Sequence, residues 1–561
     1  MTMESQQVEM VLTGIPAVAG IAVGPVVRPA PRVSADVRTG PIPESDRDAE
    51  AEALRAAAAT VAARLRERAA AASGAAAEVL AANAAMAADP GWLAAARKRI
   101  DAGDPAPAAA SAATEEFATL FTRLGGLMAE RVTDLRDVCD RVVAELAGAP
   151  EPGVPTPERP SVLLAEDLAP ADTAGLDPAL VVGIATSLGG ATSHTAIIAR
   201  QLGIPCVVGV AGLDDVPVGA EVLVDGGAGS VTVGPDPREA ARLVAEYRAI
   251  VVRNAAWTGP GATSDGHRVE VLANVQDGAG ARAAGETAAE GIGLFRTELC
   301  FLDRDSEPTV AEQEAIYREV LDAYPDGKVV VRTLDAGSDK PLRFATHPDE
   351  ANPALGVRGI RIAARDAGIL DRQLDAVAAA GAGRTARPWV MAPMIATPAE
   401  AEDFAARARA RNLVAGVMIE VPAAALLAEA ILARVDFVSI GTNDLAQYTM
   451  AADRMSPELA ALTDPWQPAV LALVARTAAA GRAEGKPVGV CGEAAADPVL
   501  ACVLTGLGVT SLSAAAPAVA AVGATLATVT QDACRRAGEA VLSTTTPEEA
   551  RAVARRILFG D

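Results

Sequence analysis

Short apolar runs alternate with longer helical patterns throughout the second half of the chain. Runs of this length, bounded by turn residues, are typical of buried strands, and the longer patterns have apolar residues every three or four positions. The predicted strands are Val269–Val275, Gly291–Phe295, Lys328–Asp335, Trp389–Met394, Val414–Glu420, Asp436–Ile440, Pro487–Cys491 and Val509–Ser513. Eight such strand–helix units predict a C-terminal TIM (β/α)8 barrel.

The first half of the chain has a different pattern. Strand-like runs occur within 9–28 and again between Ser161 and Val233, where a hairpin-like segment contains Asp225-Gly226-Gly227. Between them, from Glu44 to about Gly148, the pattern is that of alanine-rich helices. We therefore predict a small α/β domain that the N-terminal strands complete, with an α-helical domain inserted into it.

Two segments rich in proline or glycine mark the predicted domain boundaries. Residues 149–160 read APEPGVPTPERP, and a helix from Pro237 to about Ala256 leads to Gly259-Pro260-Gly261. The expected division is 1–28 with 152–240 for the α/β domain, 29–151 for the helical domain, 241–261 for a linker helix and 262–561 for the barrel.

Charge and cysteine usage exclude several classes of protein. The formal net charge of −23 argues against a nucleic-acid partner, which would require basic patches. The six cysteines are widely spaced and include no C-x-x-C pair, a pattern that favours reduced thiols in the cytoplasm.

One long uncharged segment raises the question of membrane insertion. No residue between Pro498 and Gln531 is charged, and the segment is long enough to span a bilayer. Glycine, serine and proline interrupt it, however, so we predict a buried helix, strand and second helix. The N-terminus has neither a basic segment nor an apolar core of a signal peptide. We expect a cytoplasmic protein with no membrane insertion.

A glycine-rich turn precedes a histidine in the α/β domain. Residues Gly189 to Arg200 read GGATSHTAIIAR and follow the predicted strand Ala179–Ala185. The start of a helix offers free backbone N–H groups and a partial positive charge, which suit a phosphate group. The hypothesis is that His194 carries a phosphoryl group, for which the rest of the chain must provide a donor site.

Charged side chains lie at the ends of several predicted barrel strands, where the chemistry of this fold takes place. Buried arginines are costly unless they meet anions, so a cluster of them indicates a ligand with phosphate or carboxylate groups. The arginines concerned are Arg296, Arg332, Arg358 and Arg454.

Two carboxylates and a thiol complete this set. Glu420 and Asp444 end neighbouring strands, where two oxygen donors could share Mg²⁺ or, alternatively, cap loops. Cys491 ends the seventh strand, where a thiol could serve as an acid or nucleophile or could simply be packed in the core.

Six motifs together resemble Enzyme I, the phosphoenolpyruvate–protein phosphotransferase family of the bacterial sugar phosphotransferase system. The resemblance runs from about Gly14 to near the C-terminus. The motifs are GGATSHTAIIAR (Gly189–Arg200), GIGLFRTE (Gly291–Glu298), VRTLDAGSDK (Val331–Lys340), EVPAA (Glu420–Ala424), SIGTNDLAQY (Ser439–Tyr448) and GVCGE (Gly489–Glu493). The segments around the histidine depart from the family's usual pattern at Ala169, Ala171 and Ala191.

The resemblance implies a role for each candidate residue. It makes His194 the phosphorylated histidine, Cys491 the acid that protonates the enolpyruvate carbon, and Glu420 with Asp444 the Mg²⁺ ligands. It also implies that phosphoenolpyruvate contacts Arg296, Arg332, Asn443, Asp444 and Arg454. Arg358 and Lys340 would lie nearby.

The resemblance further implies partners and a mobile architecture. The α/β domain would swivel between the barrel, which binds phosphoenolpyruvate and forms a homodimer, and the helical domain, which binds the phosphocarrier protein HPr. Pyruvate would be the second product. Two alternatives stay open: an enzyme similar to pyruvate phosphate dikinase or phosphoenolpyruvate synthase, and a non-catalytic regulatory binder with the same fold.

Overall fold

The computed structural model describes most of the chain in two compact units, Met1–Ala249 and Ile250–Asp561. The described residues are 10–29, 40–71, 75–124, 131–155, 157–168, 176–190, 193–302, 304–336, 342, 344, 350–364, 366–454 and 456–560. Each unit has its own hydrophobic core.

An eight-stranded sheet organises the first unit, in the order β1-β8-β7-β3-β4-β5-β6-β2. The strands are β1 (Met10–Thr13), β2 (Ile15–Val18), β3 (Ile21–Val27), β4 (Ser161–Ala165), β5 (Val181–Thr186), β6 (Cys206–Val208), β7 (Glu221–Asp225) and β8 (Ser230–Val233). Strand β3 pairs with both β4 and β7, β1 pairs with β8, and β2 pairs with β6. The prediction that the N-terminal strands complete this sheet is therefore confirmed.

Among the described residues between β3 and β4, five α-helices occur. They are α1 (Arg47–Ala71), α2 (Ala75–Ala87), α3 (Pro90–Ala102), α4 (Ala106–Leu124) and α5 (Val132–Ala147). Alanines fill much of their common core, and small side chains of this kind allow the helices to pack closely. Helix α3 begins where Asp89 accepts a hydrogen bond from the Trp92 backbone N–H, and it ends at Gly103, whose φ is 111°.

Two further helices are described in the first half of the chain. Helix α6 (His194–Leu202) follows β5, and helix α7 (Pro237–Ala256) follows β8. Helix α7 has the bounds that the sequence predicts, and it carries the chain from the first unit into the second.

The second unit is a closed barrel of eight strands, and every neighbouring pair is parallel. The strands are β9 (Glu270–Val275), β10 (Gly291–Arg296), β11 (Lys328–Arg332), β12 (Trp389–Ala392), β13 (Val414–Ile419), β14 (Phe437–Gly441), β15 (Val488–Cys491) and β16 (Ser511–Ala515). Each overlaps a predicted strand, so the TIM barrel is confirmed. Strand β12 ends earlier than predicted because Met394 has a φ of 62°, which no strand residue adopts.

Helices surround the barrel, and their buried faces form one core with the outward-facing strand residues. They are α8 (Gly278–Gly285), α9 (Val310–Asp322), α10 (Ala367–Ala380), α11 (Pro398–Arg409), α12 (Pro422–Leu426), α13 (Ala428–Leu432), α14 (Thr442–Met450), α15 (Pro468–Glu484), α16 (Glu493–Ala496), α17 (Pro498–Leu507), α18 (Ala516–Leu526), α19 (Gln531–Val541) and α20 (Pro547–Phe559).

The long uncharged segment forms α17, β16 and α18, which confirms the predicted order of helix, strand and helix. In the described part of the chain, no helix combines the length and the hydropathy that a membrane span requires.

Candidate active site

A cavity of about 530 Å³ opens at the C-terminal ends of the barrel strands. It brings together most of the residues that the sequence singles out in this half of the chain. Those that line it are Arg296, Arg332, Glu420, Asn443, Asp444, Arg454 and Cys491. It is also lined by polar residues that were not chosen as site residues from the sequence, namely Asn274, Gln276, Glu298, Asp335, Thr442 and Glu493.

The ends of the strands place these side chains. Arg296, Arg332 and Cys491 are the last residues of β10, β11 and β15, and Glu420 directly follows β13. Residues 443 and 444 lie in the first turn of α14, which begins directly after β14. Because all eight strands are parallel, their carboxyl ends meet at one rim, and residues distant in sequence converge there.

Arg332 is held by two carboxylates in the wall of the cavity. Its guanidinium pairs with Glu298, and its Nη1 lies 3.1 Å from Asp335 Oδ2. Burial disfavours the charged form of Arg332, but the attraction of Glu298, Asp335 and Glu420 outweighs this effect and raises its pKa. Arg332 therefore stays positively charged, and its buried Nε has no hydrogen-bond partner in the described part of the chain.

Arg358 lies behind this wall. Its Nη2 is 3.0 Å from Asp335 Oδ2, and its Nη1 is 3.5 Å from Asp444 Oδ1. Arg358 is not one of the described residues that line the cavity. The structure thus links it to two carboxylates of the site, and we infer that it positions them.

Arg296 and Arg454 differ from these two paired arginines. Within the described ranges, neither guanidinium has an ion pair, and the buried Arg296 Nε has no hydrogen-bond partner. Arg454 is exposed and Arg296 is half-buried, so the cavity offers two unpaired guanidinium groups for the oxygens of an anionic ligand.

Glu420 and Asp444 each present an oxygen that lacks a hydrogen bond. Glu420 is fully buried; its Oε1 accepts the Met394 backbone N–H at 2.6 Å, but its Oε2 has no donor. Asp444 Oδ1 likewise accepts no hydrogen bond in the described part of the structure. Burial, together with the negative charges of Asp335 and Asp444, raises the pKa of Glu420 to about 8.

These two oxygens fit a hard divalent cation. Mg²⁺ prefers oxygen ligands and typically takes one or two carboxylates, with water and substrate oxygens completing its octahedron. No group of three or more His, Cys, Asp and Glu side chains suited to a metal occurs among the residues that the structure describes. The pair therefore fits an ion that shares its coordination with a ligand.

Cys491 has its thiol in the interior of the barrel mouth. The Ser439 hydroxyl donates a hydrogen bond to its sulfur at 3.4 Å, and the thiol donates to the Ile440 carbonyl at 3.5 Å. Burial raises the pKa of Cys491 and outweighs the opposite effect of Ser439. The thiol is therefore protonated at neutral pH and can act as a proton donor.

Hydrogen bonds join the loops that follow β14 and β15. The Glu493 backbone N–H donates to Asn443 Oδ1 at 3.1 Å, and Asn443 Nδ2 donates to Glu493 Oε1 at 3.4 Å. The Thr442 hydroxyl donates to the Cys491 carbonyl at 3.2 Å. Hydrogen bonds thus connect the loop that carries the carboxylate Asp444 to the loop that follows the thiol of Cys491.

In the first unit, helix α6 begins at His194. The Ser193 hydroxyl caps the helix by accepting the Ala196 backbone N–H at 3.3 Å, and Thr195 donates to Asp167 Oδ1 at 3.2 Å. The predicted order of strand, turn and helix is confirmed. The His194 side chain lies outside the described part of the structure, as do Ala169, Ala171, Ala191 and the predicted contact Lys340.

Three family models of known proteins match successive parts of the chain. Residues 13–131 match the N-terminal model of PEP-utilising enzymes, and residues 157–229 match the mobile domain of PEP-utilising enzymes. Residues 253–531 match the PEP-binding domain of PEP-utilising enzymes.

Several relatives are similar over most of their length. The phosphoenolpyruvate-protein phosphotransferase of Streptomyces coelicolor is 49% identical over 99% of this chain and 100% of its own. The protein of the same name from Haloferax volcanii is 42% identical over 80% of this chain and 81% of its own. The one from Bacillus subtilis is 35% identical over 84% of this chain and 86% of its own. The chain is therefore an enzyme of the Enzyme I family, the phosphoenolpyruvate-protein phosphotransferases.

Proposed function

We propose that the protein transfers the phosphoryl group of phosphoenolpyruvate to its own His194 and then to a histidine of the carrier protein HPr, releasing pyruvate. The observation that supports this most is the cavity at the barrel mouth, where two unpaired guanidinium groups, two carboxylates and a protonated thiol lie together. Phosphoenolpyruvate needs all three kinds of group. No observation favours a dikinase-like enzyme or a non-catalytic binder.

The arginines bind the anionic groups of the substrate. Arg296 and Arg454 donate to oxygens of the phosphate and carboxylate groups, and the unbonded Nε of Arg332 faces the same ligand. Because Glu298 and Asp335 hold Arg332 before the substrate arrives, this cation stabilises charge on the transferring group at little reorganisation cost.

Glu420 and Asp444 would hold Mg²⁺ through the two carboxylate oxygens that accept no hydrogen bond from the described residues, of which Asp444 Oδ1 also lies 3.5 Å from Arg358 Nη1. When bound, this ion neutralises negative charge on the phosphoryl oxygens and the enolate. Glu420 must lose its proton to serve as a ligand, and Arg332 nearby favours the ionised form.

Two bonds form and two break in the first transfer. The neutral His194 imidazole attacks phosphorus, so that a P–N bond forms as the P–O bond to the enolate oxygen breaks. The Cys491 S–H bond breaks as its proton bonds to the methylene carbon of the enolate, giving pyruvate and a thiolate.

We further propose that the α/β domain, residues 1–28 and 152–240, moves between two sites. It collects the phosphoryl group at the barrel, residues 262–561, and delivers it to HPr at the helical domain, residues 29–151. The Pro-rich segment 149–160 and residues 257–261 act as hinges. Two observations support this: the two compact units divide between Ala249 and Ile250, inside the linker 241–261, and residues 157–229 match a mobile domain. The barrel forms the homodimer.

The test is incubation with ³²P-labelled phosphoenolpyruvate and Mg²⁺. Wild type is expected to acquire an acid-labile, base-stable label and to pass it to added HPr. His194→Ala should remain unlabelled. His267→Ala is the matched control, because His267 lies in an exposed loop and should be labelled like wild type. Label that persists in His194→Ala would overturn the proposal.

A further inference from the structure

The interior of the barrel has an apolar side and a hydroxyl-lined side. On the apolar side, large side chains fill the space, as is usual in this fold. They are Leu294, Val330, Met391, Met418 and Phe437. On the other side, inward positions of β15 and β16 hold Gly489, Ser511 and Ser513, and Ser439 follows Phe437 at the next inward position of β14. Buried hydroxyls in place of branched apolar residues need a reason, because each must be satisfied.

Gly489 separates two of these hydroxyls. It pairs in register with Ser439 on one neighbouring strand and with Ser511 on the other. A Cβ at residue 489 would lie 2.7 Å from Ser511 Oγ and 3.8 Å from Ser439 Oγ. The missing side chain therefore leaves the two hydroxyls on either side of a gap.

The gap is large enough for about one water molecule. A void of about 10 Å³ is lined by Ser439, Ser511 and Ser513, close to the roughly 10–15 Å³ that one buried water needs. Ser511 is 6% exposed, and its Oγ is the atom nearest to a Cβ placed at residue 489. Leu272, Val330 and Phe437 also line the void, so a water there would bond to the hydroxyls of Ser439 and Ser511 on either side of Gly489.

The void lies one layer below the reacting thiol. Cys491 is two residues beyond Gly489 on β15, and the Ser439 hydroxyl reaches its sulfur at 3.4 Å. On the other side, the void is lined by Lys328, whose Nζ pairs with Glu270 Oε2 at 2.8 Å. The Glu270 side chain is 42% exposed, so this ion pair meets solvent at the N-terminal mouth of the barrel.

We propose that Ser439 is a positioning residue for Cys491 and that, with a water in the void beside Ser511, it returns a proton to the sulfur after each turnover. This inference rests on the proposed function, in which Cys491 gives its proton to the enolate carbon. The thiolate then takes the proton of the Ser439 hydroxyl, and the serine oxygen takes one from the water. Solvent at the N-terminal mouth replaces the proton of the water, so no further reactant is needed.

The test measures pyruvate formation and the exchange of pyruvate methyl protons with D₂O, both with Mg²⁺. In Ser439→Ala, we expect kcat and methyl exchange to fall about tenfold or more while KM for phosphoenolpyruvate changes less than about twofold. The alkaline limb of the kcat profile should shift to higher pH, because the sulfur loses a donor that stabilises the thiolate. Ser439→Thr keeps the hydroxyl and should restore both rates.

Two more variants probe the void itself. Gly489→Ala fills it and should slow both reactions; Ser511→Ala, which adds no volume, should slow them less. Val488→Ala is the matched control, because its side chain on the same strand packs in the outer core and does not line the void. Wild-type rates and pH profile in Ser439→Ala, or an equal loss in Ser439→Thr, would overturn the proposal. Wild-type rates in both Gly489→Ala and Ser511→Ala would overturn the water path. A wild-type protein that forms no phosphohistidine would instead contradict the proposed function.

Discussion

Gly492 approaches Asn443 so closely that a Cβ at residue 492 would lie 2.8 Å from the Asn443 amide oxygen. The backbone of Gly492 also has a φ of 105° and a ψ of −167°, a combination that is essentially restricted to glycine. The residue after Cys491 must therefore be glycine for two independent reasons, one of conformation and one of space.

We expect Gly492→Ala to lower kcat/KM for phosphoenolpyruvate at least about tenfold, because the added methyl group displaces the Asn443 amide from the cavity. Backbone strain should also cost about 1–3 kcal/mol of stability. Gly485→Ala is the control, since φ is 63° there but no atom lies within 4 Å of the added Cβ. It should lose stability and keep full activity. Equal activity in the two variants would refute this explanation.

Replacement of two arginines of the same cavity should have opposite consequences for stability. Arg332→Gln leaves Glu298 buried without its cation, while Asp335 keeps Arg358, and the loss should cost about 3–5 kcal/mol. Arg296→Gln removes a cation that has no ion pair in the described part of the chain, so thermal stability should be unchanged or slightly higher. Both variants should bind phosphoenolpyruvate weakly. The measurement is chemical denaturation in parallel with KM, and a similar loss of stability in both variants would contradict the assignment.

The stabilisation by Mg²⁺ should increase with pH. The native state keeps on Glu420 a proton that the unfolded state has released, so its raised pKa makes the free energy of unfolding fall as pH rises from about 4.5 to about 8. Mg²⁺ requires the ionised carboxylate and displaces this proton, so its apparent affinity should increase by up to about tenfold per pH unit below that pKa.

Thermal unfolding with and without Mg²⁺ at about pH 6 and about pH 8 tests this linkage. The rise in Tm on adding Mg²⁺ should be larger at the higher pH for wild type, and it should be small at both for Glu420→Gln. If Mg²⁺ raises the Tm of wild type equally at the two pH values, Glu420 is not the titrating ligand.

Cys491 should act as a proton donor whose loss affects rate more than binding. In Cys491→Ala, kcat for pyruvate formation should fall about 10²–10⁴-fold, the usual contribution of a general acid, with little change in KM. In wild type, burial keeps the thiol protonated, so at saturating Mg²⁺ activity should be lost as pH rises through the raised pKa of Cys491. Cys300→Ala is the control, because that thiol is also buried but does not line the cavity. A Cys491→Ala variant with wild-type kcat would remove the thiol from the mechanism.

Much of this arrangement could be predicted from the sequence because strand ends are local features. Apolar runs located β9 to β16, and the residues directly after them were identified as candidates; Arg332, Glu420 and Cys491 all lie in the cavity. The choice of ion-pair partners depends on three-dimensional proximity, which no run of residues encodes. The roles of Glu298 and Asp335 as anchors of Arg332 were missed for this reason, although both belong to recognised motifs.

The contacts of Arg358 could not be predicted from the sequence either. Its place in GVRGIR gave no indication that Asp335 and Asp444 would hold it behind the wall of the cavity rather than in it. The hydroxyl-lined side of the barrel was also missed, because a serine in an apolar strand indicates neither which way it faces nor that its neighbour across the sheet is glycine.

The hydrogen bonds between Asn443, Glu493, Thr442 and the Cys491 carbonyl bear on how the enzyme discriminates between substrates. They join the loops after β14 and β15, so we expect a ligand that orders the proposed metal ligand Asp444 also to align the proposed proton donor Cys491. Binding energy gained at a remote phosphate oxygen would then raise the turnover rate. An analogue that lacks one anionic group should accordingly be recognised as a slow substrate, even at saturating concentration.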